Sequence, residues 1–87
     1  MHDIILAKEI FDLIIRYAQR NKLRKVEWVE IELGQIIHED HPEVILPKNL
    51  KFNLKMLVKG SIAEKAQFRI KKIASEGYKL ASISGKK

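Results

Sequence analysis

Apolar residues recur at helical spacing early in the chain: Ala7, Ile10, Phe11, Ile14 and Ala18 share one side of a helix, with Lys8, Glu9, Asp12, Arg16, Gln19 and Arg20 on the other. Asp3 stands where an N-cap belongs, and Asn21 offers a stop. The period changes to two from Val26 to Leu33, where Val29, Ile31 and Leu33 point one way and Trp28, Glu30 and Glu32 the other, the signature of a half-buried strand. Gly34 breaks that run. Gln35 to Leu46, which holds His38, Glu39, Asp40, His41 and Pro42, has neither period and reads as a loop.

Pro47 to Lys59 fits two periods, since Leu50, Phe52, Leu54 and Met56 alternate while Leu50, Leu54, Leu57 and Val58 cluster on one helical face. Its ends favour a helix: Pro47 suits an early helical position, Gly60 a position past the end, and Lys51, Lys55 and Lys59 repeat at i, i+4 towards the C-terminal pole. Phe52 and Met56 then fall on the outer face, available for packing or for a partner. Phe68, Ile70 and Ile73 mark another strand, Ser75-Glu76-Gly77 a turn, and Tyr78 to Ser84 a last strand, read together as a hairpin. The fold class is α+β, with two helices packed on a small three-stranded sheet in the order α-β-α-β-β. Residues 1–84 form a single domain and residues 85–87 a polar tail.

Eighty-seven residues, 46% of them hydrophobic, support one modest core; a chain of this size buries only about 60–65% of its unfolded surface. There is no cysteine, which excludes disulfides, thiolate zinc sites, iron–sulfur clusters and a thiol nucleophile. Glu9, Asp12 and Arg16 interrupt the early apolar positions, so that stretch is neither a secretory signal nor a membrane span, and a cytoplasmic protein is expected. The net charge of +6 attracts polyanions whatever the fold. The cations are scattered over three stretches, however, and no RNP, KH or zinc-knuckle signature accompanies them, so solvated faces account for the charge better than a nucleic-acid site. No phosphate-cradling Gly-x-x-x-x-Gly-Lys loop and no recognisable Ser, His and acid arrangement is present, so a binding protein is expected rather than an enzyme.

Met1-His2-Asp3 carries the most specific chemistry. The α-amine of Met1, the deprotonated amide nitrogen of His2 and the His2 ring nitrogen can close two fused chelate rings in one plane, which suits nickel or copper better than tetrahedral zinc. The plainer reading is a frayed terminus. His38-Glu39-Asp40-His41 is one residue too short for the His-Glu-x-x-His spacing, so a metalloprotease is excluded. Two readings stand for it: solvated loop histidines, and a fourth ligand to the Met1–His2 chelate.

Taken in order, these pieces resemble the HypA nickel metallochaperones of [NiFe]-hydrogenase maturation. The resemblance rests on Met1-His2-Asp3 with its helix, Lys25-Val26 through Val29, Ile31, Leu33 and Gly34, the run from Leu50 to Ser61, and Ile62 to Ala66 before the strand Phe68 to Ile70. It implies nickel binding at Met1 and His2, with Asp3 where the family usually has glutamate. It also implies a partner in metallocentre assembly, a maturation GTPase or a metalloenzyme subunit, or a second copy of the chain. The family's zinc domain, two Cys-x-x-Cys pairs set into the sheet, has no counterpart here, as if excised between Ile73 and Tyr78. A protein-binding adaptor of this fold without metal function is the alternative.

Overall fold

The computed structural model describes the backbone of residues 3–38 and 41–87 and the side-chain environment of residues 4–37 and 44–87. Its elements are α1 (Asp3–Arg20), β1 (Lys25–His38), β2 (His41–Glu43), α2 (Pro47–Leu57), β3 (Gln67–Glu76) and β4 (Tyr78–Lys86). Strand β1 is the middle of a three-stranded mixed sheet, with β3 parallel on one side and β4 antiparallel on the other. The α+β class and the order of its helices and main strands agree with the sequence reading, and the short β2 is added at the far end of β1. Helix α1 packs on α2 and against β4, while α2 packs against β3.

The core follows from the two periods. Leu6, Ala7, Ile10, Ile14 and Ala18 of α1, Val29, Ile31 and Leu33 of β1, and Leu50 and Leu54 of α2 are all buried in one cluster. Each large aliphatic side chain so buried contributes about 1.5–3 kcal/mol relative to exposure. No polar or charged side chain is buried among the described residues. The other face of the sheet pairs opposite charges across strands, Glu30 with Arg69, and Glu32 with Lys71 and Lys79.

Several local expectations are corrected. Helix α1 starts at Asp3, so Asp3 lies in the first turn instead of preceding it. At the other end the helix stops before Asn21 as read, and the left-handed residue is the next one, Lys22 (φ 58°). The Leu23 amide donates to the Ala18 carbonyl (2.9 Å) and the Lys22 amide to the Gln19 carbonyl (3.1 Å), the two bonds of a Schellman motif. Strand β1 does not stop at Gly34: it continues to His38 and turns back into β2, pairing Ile36 with Glu43, Ile37 with Pro42 and His38 with His41. The continuation is hidden in the sequence because buried positions shift from odd numbers (Val29, Ile31, Leu33) to an even one (Ile36) across an irregularity between Leu33 and Gln35.

β3 and β4 are not a hairpin. Each pairs with β1, so the chain leaves β3, crosses β1 in the single residue Gly77 and returns along the opposite side. The crossing is fastened by the Gly34 amide donating to the Gly77 carbonyl (2.7 Å) and the Gly77 amide to the Gln35 carbonyl (2.9 Å). Turn residues announce a reversal but not which edge the returning strand will take. β4 also runs through Gly85 and Lys86, paired with Val26 and Lys25, which the sequence reading had assigned to a tail.

The histidine-bearing end and the outer face of the second helix

Which sequence-selected residues the fold gathers can be read from the Tyr78 hydroxyl, which donates to Glu9 Oε2 at 2.8 Å. Tyr78 is the ladder partner of Leu33, so Glu9 lies level with Leu33 of β1. Asp3 lies six residues before Glu9, about 9 Å further along α1 at 1.5 Å per residue. The same distance along β1, at about 3.3 Å per residue, reaches Ile36. The start of α1 thus comes level with Ile36, two residues short of His38, which is opposed to His41 in the β1–β2 turn. Met1 and His2 lie outside the described residues, as do Glu39 and Asp40. Among the described residues no group of three or more His, Cys, Asp or Glu side chains is placed to hold a metal ion.

The Tyr78 hydroxyl is itself perturbed. Burial raises the Tyr78 hydroxyl from 10.0 to about 12, helped by its hydrogen bond to Glu9 and by the charge of that carboxylate. Each cause disfavours the phenolate. The neutral phenol thus acts as a fastener between α1 and β4, at the level where the chain crosses β1.

Phe52 and Met56 stand where the helical reading put them, 64% and 50% exposed on α2 while Leu50 and Leu54 on the other side are fully buried. Lys48 and Lys51 of the same helix line a groove of about 380 Å³ at the edge of β3, with Trp28, Phe68 and Arg69 in its wall. Sequence reasoning missed this groove. Its signal was Trp28, a large aromatic residue alternating outwards beside buried Val29, and the structure leaves it 41% exposed.

Two helices over one face of a mixed sheet, with His38 and His41 opposed in the turn after the central strand, define a small α+β domain. Comparison with known proteins makes this specific. Residues 1–78 match the family described as "Hydrogenase/urease nickel incorporation, metallochaperone, hypA". The Hydrogenase maturation factor HypA of Legionella pneumophila (strain Lens) is 34% identical over 76 residues, covering 87% of this chain and 62% of that protein. The protein of the same name from Methanosarcina acetivorans is 34% identical over 73 residues, covering 84% of this chain and 50% of that protein. This chain therefore spans less than two thirds of the length of these curated relatives. The solution structure of the Ni metallochaperone HypA from Helicobacter pylori superposes with a TM-score of 0.77 at 12% identity, covering 99% of this chain and 98% of that chain, and shows the shared fold. The chain belongs to the HypA family. It contains no cysteine, and hence no Cys-x-x-Cys pair.

Proposed function

We propose that this protein binds nickel at Met1 and His2 and passes it on during hydrogenase maturation. Nickel is its cargo here, not a resident cofactor. The observation that carries the reading is the match to the nickel-incorporation family over residues 1–78, a span that includes Met1-His2-Asp3. The donor chemistry supports it: an amine, an amide nitrogen and an imidazole supply three of the four positions of a flat divalent site. His38 or His41 is the proposed fourth ligand: the two are opposed in the β1–β2 turn, about two residues beyond the level that the start of α1 reaches. Asp3 contributes an acidic residue to the first turn, where the helix dipole favours it, and adds negative charge beside the cation.

The proposed recipient is a maturation GTPase or a metalloenzyme subunit in the cytoplasm. Isothermal titration of nickel into untagged protein, alongside His2→Ala, tests the site: the parent should release heat with a saturable stoichiometry, and His2→Ala should lose it. Equal heats from the two proteins would remove the terminal chelate and leave the adaptor reading, in which the fold recruits a partner without metal. Fusion of a tag before Met1 should act like His2→Ala, because it consumes the amine.

A further inference from the structure

Helix α2 has no acidic residue: Pro47 to Gly60 contains Lys48, Lys51, Lys55 and Lys59 and neither Asp nor Glu. Lys48, Lys51 and Lys55, spaced three and four residues apart, lie along one stripe of the helix, and Lys59 follows in the turn after it. Phe52 and Met56, one turn apart and both at least half exposed, border that stripe, while Leu50, Leu54 and Val58 are spent on the core. The stripe runs into the groove at the edge of β3, whose wall adds Arg69 and the Trp28 ring and contains no carboxylate. Arg69 itself lies 3.9 Å from Glu30, a loose contact at an exposed site. Among the described residues β3 pairs only with β1, which leaves its outer edge unpaired there.

We propose that the outer face of α2 and the adjoining groove form a docking surface for an acidic segment of another protein, one whose carboxylates meet the lysine stripe and whose apolar side chains cover Phe52 and Met56. The proposal rests on the reading that this chain works through a partner, and it supplies that partner's chemistry. A second copy of the chain does not fit, because a two-fold contact through this face would set lysine stripe against lysine stripe on molecules of net charge +6. An anionic membrane matches the charge, but the unpaired edge of β3 beside the groove offers backbone donors and acceptors that a peptide can pair with and a lipid surface cannot.

The test is fluorescence anisotropy of a labelled synthetic peptide of Glu and Leu at helical spacing, set beside a Glu and Ser peptide of equal charge, a Lys and Leu peptide, and phosphatidylserine vesicles. The Glu and Leu peptide should bind, weaken steeply with salt, and bind several-fold tighter than the Glu and Ser peptide. The Lys and Leu peptide should not bind. Charge reversal by Lys51→Glu with Lys55→Glu should weaken binding about tenfold, from two lost attractions and two new repulsions of surface strength. Phe52→Ala should remove the preference for Leu over Ser. Circular dichroism identifies any variant that loses its helices, and Lys51→Gln with Lys55→Gln then replaces the reversal with a smaller loss in the same direction.

Equal affinity of parent and charge-altered proteins, equal affinity for the Leu and Ser peptides, or vesicle binding that excess Glu and Leu peptide does not compete would each overturn the proposal. His2→Ala should leave peptide binding intact. A failed nickel titration with retained peptide binding sinks the metal reading alone, and the reverse pattern sinks the docking surface alone.

Discussion

Replacing Gly34 with alanine should destabilise the fold more than any other glycine-to-alanine change in the chain except that at Gly85. A Cβ built on Gly34 would overlap the Ser75 carbonyl oxygen and come within 2.8 Å of the Ser75 carbonyl carbon and 2.9 Å of the Gly77 carbonyl oxygen. These are backbone atoms of the crossing, so no side chain can rotate away. Relief requires the crossing to lift off β1, which stretches the Gly34 to Gly77 and Gly77 to Gln35 hydrogen bonds. Forced overpacking costs about 1–3 kcal/mol, and two weakened backbone hydrogen bonds add about 1–2 kcal/mol. The stiffer unfolded chain of the alanine variant returns about 0.4–1 kcal/mol. The net loss is about 1–5 kcal/mol, a large part of the roughly 4–13 kcal/mol expected for 87 residues.

Urea unfolding followed by Trp28 fluorescence and by far-ultraviolet circular dichroism measures this loss as a lower midpoint at unchanged slope. Gly60→Ala is the internal comparison: its φ is +80° but nothing lies within 4 Å of the new carbon, so it pays only the left-handed penalty of about 1–2 kcal/mol. If Gly34→Ala cost less than Gly60→Ala, the crossing would not be pinned against β1 and the account of this sheet would be wrong.

At the end of α1, Lys22→Gly should stabilise the protein by about 0.5–1 kcal/mol, because glycine adopts the left-handed C′ position of the Schellman motif without the Cβ clash of lysine; thermal melts should show a rise of a few degrees, and a fall would refute the assignment. The Tyr78 hydroxyl is an acid whose folded pKa lies above its ordinary value, so its contribution is fully present below pH 10 and is lost as pH rises from 10 through about 12. Alkaline unfolding of the parent and Tyr78→Phe should therefore converge at high pH, with the parent more stable below pH 10; a constant difference across that window would refute the linkage.

Where one period ran unbroken the sequence was legible. The α1 stripe, the Val29, Ile31 and Leu33 face of β1, and the separation of Leu50 and Leu54 from Phe52 and Met56 were all readable because burial on one side of a regular element leaves a fixed spacing. The misreadings occur where the spacing slips or where identity depends on distant partners. At Gly34 the parity of buried positions changes, so a fourteen-residue strand looked like a shorter strand and a loop. At Ser75-Glu76-Gly77 the local residues specify a reversal, whereas the choice of edge is made by β1, already paired with β3. At the start of the chain Met1-His2-Asp3 supplies the donors of the proposed chelate, and the structure adds that His38 and His41 are opposed across the β1–β2 turn. The groove beside α2 escaped notice because it joins residues from three elements, none distinctive alone.

The crossing over β1 also shapes how the molecule is assembled. The residues that flank β1 on both sides come from positions 67–86, and the Lys25 to Lys86 pairing joins points about 60 residues apart, so the sheet is rich in the non-local contacts that slow folding. During synthesis both helices, β1 and β2 emerge first, and the Lys25 to Leu33 stretch of β1 waits with two bare edges for strands not yet made. Glu27, Glu30 and Glu32, interleaved with its Val, Trp, Ile and Leu residues, give the waiting strand charges that resist pairing with another nascent chain, a safeguard against aggregation before the last two strands close around it.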